Sequence, residues 1–159
     1  MINIYAADLW LLCLLACCGM LAWYALARCA DKSNKAKTWF RSLSILMVAL
    51  AVYGILAYTV LHRNPGEIHR FVLINQGNHE FFRELFMNGL LYLPLGLSLS
   101  ALIGPWSILI AFLLSTGIET WQYLAGTGLA QGTDVLMNTL GASIGAIPLL
   151  VNKKRKDGI

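Results

Sequence analysis

Five apolar runs divide this chain of 159 residues, at about 9–27, 42–61, 86–103, 107–124 and 134–151. Each approaches the roughly 20 residues that a helix needs to cross a bilayer. Only 13% of the residues are charged and mean hydropathy is +0.64, whereas a soluble domain carries about 25% charge. So little of the chain can face water that its solvent must be lipid. In lipid every backbone donor and acceptor has to be paired, and an open chain manages this only as a helix. The expected fold is therefore all-α, a polytopic membrane bundle of about five transmembrane helices. Gly104-Pro105 separates the third run from the fourth, and Gly126-Thr127-Gly128 the fourth from the fifth. Pro94 and Gly96 lie inside the third, where proline removes a helical donor.

Lysine and arginine set the expected orientation. Segment 28–41 holds Arg28, Lys32, Lys35, Lys37 and Arg41, and the tail holds Lys153, Lys154, Arg155 and Lys156. Loop 62–85 holds only Arg63, Arg70 and Arg83, offset by Glu67, Glu80 and Glu84. An odd number of crossings brings nine of the twelve basic residues to one side, and the positive-inside rule makes that side cytoplasmic. The expectation is N-outside and C-inside, in the plasma membrane of a bacterium. The chain divides into two N-terminal helices with a basic cytoplasmic loop (1–61), an extracytoplasmic loop (62–85), a three-helix unit (86–151) and a basic tail (152–159). The outer loop is expected to lie along the interface as a short helix or a re-entrant piece.

Several function classes fall away. A pI near 9.0 is compatible with nucleic-acid binding, but charges confined to two segments serve topology, so no nucleic-acid partner is expected. Cys13, Cys17 and Cys18 sit within an apolar run and Cys29 just after it, as small apolar side chains rather than a disulfide framework. The first eight residues carry Asp8 and no base, which favours an uncleaved first helix over a signal peptide. His62, His69 and His79 match no zinc spacing. No metal and no cofactor are expected.

The stretch "GIETWQYLAGTGLAQGTDVLMNTLGASIG" (117–145) is out of keeping with a lipid-facing chain. Asp134, Asn138, Gly141 and Gly145 stand at i, i+4, i+7 and i+11, within about 40° of one line on a helix. One face of the fifth helix is thus acidic and amide-bearing at one end and bare beyond it. The bare part is G-x-x-x-G, a close-packing signal. Glu119 and Gln122 share a face of the fourth helix, and Asn88 and Tyr92 a face of the third. All lie toward the outer ends of their helices, so they are expected to converge on one outward polar pocket. Carboxylates in lipid cost several kcal/mol unless paired or protonated. Asp134 also has an ordinary explanation as a residue at a helix start. Glu119, within a span, does not.

The blocks "NGLLYLPLG" (88–96), "IETWQ" (118–122) and "TDVLMNTLGASIG" (133–145) resemble, in order, the motifs of the VanZ-like family of bacterial membrane proteins. The resemblance covers about residues 88–145 and implies a site outlined by Asn88, Pro94, Glu119, Gln122, Asp134 and Asn138. It also implies an arginine near Gly128, which "GTGLAQGTD" does not hold; Arg63, Arg70 or Arg83 of the outer loop is expected to approach instead. The founding member is associated with teicoplanin resistance. The outward position of the polar residues and the absence of a nucleophile-base pair favour a non-enzymatic envelope protein, surrounded by membrane lipids, whose pocket binds a lipoglycopeptide or a lipid-linked cell-wall precursor. Two alternatives are an enzyme on lipid-linked substrates, with Glu119 and Asp134 as acid and base, and a small transporter or proton relay. Whether the chain acts as an oligomer or with a membrane partner is left open by the sequence.

Overall fold

The computed structural model describes residues 6–61, 66, 68–73 and 79–156; among these, the side chains of 6–14, 17, 68, 79–82 and 153–156 are not described. Helix α1 (Ala6–Ala30) is followed after a three-residue turn by α2 (Asn34–Leu56). The turn is tight because Ser33 caps α2, its Oγ accepting from the Ala36 N–H at 3.1 Å, which satisfies an otherwise orphan donor. The expected basic loop is thus mostly helical, and Lys35, Lys37 and Arg41 ride on the first turns of α2. A π turn, Ala57–Leu61, ends this second helical stretch. Strand β1 (Ile68–Val72), α3 (His79–Ile103), α4 (Trp106–Ala125), strand β2 (Thr127–Gln131) and α5 (Gly132–Lys156) complete the chain.

Four stretches among the described residues are long and apolar enough to cross a membrane: 34–61, 83–103, 106–125 and 132–152. Helix α1 has 25 residues, about 37 Å at 1.5 Å per residue. Both expected breaks occur. Gly104 adopts a left-handed φ of 62° after α3, with Ser107 Oγ donating to its carbonyl at 2.7 Å. Gly126, also at φ 62°, closes α4.

The side-chain arrangement is inverted relative to a soluble protein. Ser44, Ser98, Ser107, Ser115, Glu119 and Asn138 are buried, while Leu21, Leu46, Leu50, Leu113, Ile144 and Ile147 are exposed. In water such an apolar surface would aggregate. Against lipid tails it costs nothing, and the interior is free to collect small and polar residues.

The most extensive helix contact joins α3 and α5, and glycine makes it. A Cβ placed on Gly141 would fall 2.8 Å from Gly89 Cα, and one on Gly96 would fall 2.6 Å from Ala142 Cα. One on Gly145 would fall 3.0 Å from the Leu97 nitrogen. The backbones therefore touch along the whole seam. Pro94 lies within α3, and Ser98 Oγ donates to its carbonyl at 2.7 Å.

The structure differs from expectation in the outer loop and its surroundings. Residues 68–72 form a strand rather than a helix, pairing parallel to β2 from Ile68↔Thr127 to Val72↔Gln131. The segment between α4 and α5, expected to be a plain loop, supplies the other strand. Parallel partners need a long crossover, and here α3 and α4 provide it. Helix α3 also begins at His79, about two turns before the expected start at 86, because the charge-bearing segment 79–85 continues the helix beyond its apolar stretch.

The two ends of the bundle differ. At one end Ala30, Asp31, Lys37, Arg41 and Asn152 surround a single cleft, which places the α1–α2 turn beside the last turns of α5. The other end carries the sheet and the polar residues of α3, α4 and α5.

Candidate functional site

A cavity of about 210 Å³ lies at the sheet end. Helix α3 contributes Glu84 and Asn88, α4 contributes Glu119 and Gln122, and α5 contributes Asp134 and Asn138. Tyr58 and Thr59 of the π turn, with Leu129 and Gln131 of β2, complete the wall.

Each side chain is held from a different direction. Glu119 is buried near the end of α4, and its Oε2 accepts the Gln131 backbone N–H at 2.7 Å. That is a charge-assisted bond if the acid is ionised, and it ties β2 to α4. Gln122, one turn further on, donates through Nε2 to the Thr59 carbonyl at 3.2 Å. Thr59 stands in the last turn of its helix, where carbonyls lack an intrahelical donor, so Gln122 supplies one from another helix. Asn138 donates through Nδ2 to Ser115 Oγ at 2.9 Å, joining α5 to α4. Asp134 lies in the first turn of α5, where the helix dipole favours a carboxylate, and it also faces the cavity.

Some capacity remains unused. Among the described residues, Asn138 Oδ1 and Gln131 Oε1 are buried acceptors without a hydrogen-bond partner. A buried polar group left unsatisfied costs about 1–3 kcal/mol. Both oxygens are closed off from the cavity itself; what the cavity presents is a wall to which α3, α4 and α5 each bring one acid and one amide residue.

Tyr92 is fully buried but does not line the cavity. It sits behind the wall, its hydroxyl beside Ser115 without a well-formed hydrogen bond. Pro94, Gly96, Gly141 and Gly145 belong to the helix and its seam rather than to the cavity. Of the three arginines expected near the pocket, Arg63 lies outside the described residues. Arg70 is exposed on β1 and Arg83 is half-buried on α3, and neither lines the cavity. His62 lies outside the described residues, as does the side chain of His79. His69 is a fastener for the sheet: its Nδ1 donates to the Tyr123 carbonyl at 2.8 Å, and its ring meets the Tyr123 ring edge-on. Cys18 and Cys29 are free and exposed; the side chains of Cys13 and Cys17 are not described.

Sequence reasoning missed Glu84, Gln131, Tyr58 and Thr59. For Glu84 a signal existed. Glu84, Asn88 and Tyr92 are spaced by four, one face of one helix, but the helix was expected to start after Glu84. For the other three no local pattern exists, because cross-chain contacts bring them in.

The order of motifs along α3, α4 and α5 now has a spatial counterpart, since all three helices present polar groups to one cavity. A family model described as VanZ/LLP1 matches residues 9–152. The chain belongs to the VanZ-like family. The match reaches well beyond the three motif blocks at 88–145 and takes in most of α1 and all of α2. No curated protein and no solved structure shows significant similarity to this VanZ-like chain.

Proposed function

We propose that this VanZ-like protein is a multi-pass protein of the bacterial plasma membrane whose cavity opens to the outer side and binds the polar part of an envelope amphiphile. The ligand class is a lipoglycopeptide such as teicoplanin, or a lipid-linked cell-wall precursor, and binding raises tolerance to the antibiotic. One observation carries the reading: three acids and three amides, one of each from α3, α4 and α5, surround one cavity. A purely structural polar cluster would pack closed on itself and leave no such space. The basic end of the bundle, with Lys37 and Arg41 beside Asn152, lies opposite the cavity. By the positive-inside rule that end faces the cytoplasm and the cavity faces out.

Susceptibility to teicoplanin in a host producing the protein tests this. Wild type raises tolerance; Glu119→Gln, at equal membrane level, does not. Gln keeps the shape and removes the charge. Asp134→Asn separates two roles, because Asn serves a helix start nearly as well as Asp, so loss of tolerance assigns Asp134 to the site. If both variants protect as wild type does, the pocket is structural and the reading fails. A cysteine at position 35, in a background without the native cysteines, resists membrane-impermeant thiol reagents added outside intact cells. Strong labelling there would reverse the orientation.

A further inference from the structure

A second, larger space runs beside the polar cavity. It is a groove of about 460 Å³ between α1, α2 and α3, lined by Leu15, Gly19, Met47, Leu90, Pro94 and Leu97 among others. That size lies within the roughly 300–1,000 Å³ of ligand clefts. From Met87 to Leu97 it follows α3 for about 15 Å.

The two spaces share a wall. Tyr58 lines both the groove and the polar cavity. On α3 the adjacent residues Met87 and Asn88 divide between them, Met87 to the groove and Asn88 to the cavity. Tyrosine suits a junction of this kind, with an apolar ring and a polar tip. It stands in the π turn of α2, a geometry that recurs at functional sites. The cavity is walled by carboxyl and amide side chains, and the groove by apolar side chains along most of its length.

We propose that cavity and groove form one two-part site for a single-chain amphiphile, its hydrogen-bond-donating head in the cavity and its alkyl tail in the groove, with Tyr58 at the junction. This deepens the binding role proposed above and rests on the cavity being a ligand site. A head rich in hydroxyl or amine donors suits a wall that includes the acids Glu84, Glu119 and Asp134. A single tail fits because the groove is one channel along one face of α3. A tail has room beside α1: Gly19 lines the groove, and a Cβ added there would meet nothing within 4 Å among the described residues.

That open space also provides the test. The full-length protein, reconstituted in phosphatidylcholine vesicles, is irradiated with dodecyl glucoside carrying a diazirine on its alkyl chain, and crosslinks are mapped by mass spectrometry. Wild type is expected to crosslink in the peptides holding residues 15–23 and 87–97. Gly19→Leu fills the groove from the α1 side and cuts those crosslinks about tenfold, equivalent to about 1.4 kcal/mol of binding, without lowering the melting temperature. Asn138→Ala, which leaves the groove intact, lowers the same crosslinks because the head loses its hold. Groove crosslinks that persist in Gly19→Leu overturn the tail assignment. Groove crosslinks indifferent to Asn138→Ala overturn the joint site, since the groove then takes tails without the cavity. The envelope role is read separately: if Glu119→Gln abolishes teicoplanin tolerance while no groove crosslink forms, only the two-part site fails. If tolerance is unaffected while crosslinks depend on Asn138, the two-part site stands and the tolerance role fails.

Discussion

Helix α3 has two working faces, and they are built oppositely. Toward α5 it presents Gly89 and Gly96, and a Cβ on Gly96, or on Gly141 opposite Gly89, would run into backbone. Toward α1 it presents Met87, Leu90, Pro94 and Leu97, and a groove stays open. In lipid no hydrophobic force favours one contact over the other. What differs is how closely the backbones can approach, and so how much dispersion and how many weak polar contacts they gain. Glycines meeting glycine and alanine close the seam. Bulky residues facing Gly19 leave a space that the described residues do not fill. The same residue type thus has opposite meanings: Gly141 is indispensable to a contact, whereas Gly19 borders a vacancy.

Substitutions that reverse each face would break that comparison. Gly141→Leu should have the largest effect. Its Cβ alone would fall 2.8 Å from Gly89 Cα, a clash with backbone that no side-chain rotation relieves. Overpacking costs about 1–3 kcal/mol and occasionally more, and the upper end is expected here, read as a lower melting temperature in detergent. An unchanged melting temperature would mean that the seam does not hold the bundle together.

Gly126→Val comes next, with an expected loss of about 2 kcal/mol. Left-handed backbone costs an ordinary residue roughly 1–2 kcal/mol, and a Cβ there would stand 2.9 Å from the Gly66 carbonyl carbon and 3.1 Å from His69 Cε1. The parallel strand pairing should loosen first, seen as faster amide exchange in 68–72 than in α3. Equal exchange in both would show that the sheet is not a separate, weaker layer.

Asn138→Ala should be milder in stability, about 1 kcal/mol or less. It removes one hydrogen bond to Ser115 but also removes the unpartnered Oδ1, and those contributions oppose each other. Ligand binding should fall far more than stability does. A large drop in melting temperature with binding intact would make Asn138 a structural residue. The smallest effect is expected for Gly19→Leu, within about 0.5 kcal/mol of wild type. Leucine has the better helix propensity and open space receives it. A destabilisation as large as that of Gly141→Leu would erase the distinction between seam and groove.

Span positions, both glycine breaks and the shared faces within single helices were legible because they depend on spacing along one chain segment. Glu119 with Gln122, and Asp134 with Asn138, are fixed on common faces by helical geometry alone. So is Gly141 with Gly145, on the side where α5 meets α3. Glu84 escaped notice because apolarity, which locates a span, does not locate the end of its helix.

Apolar spacing and helical periodicity by themselves determined a membrane helix bundle with polar groups gathered near one end of three helices. Only the tertiary structure decided which faces meet. Residues 68–72 find 127–131 across two helices. Gln131 reaches Glu119 by returning on β2, and Thr59 receives Gln122 from a helix remote in sequence. Tyr58 comes to stand between two cavities. Periodicity acts within one helix, because the backbone fixes the angle between its side chains. Nothing in the backbone of one helix fixes its neighbour, so the pairing of faces waits on which surfaces approach closely enough to pack.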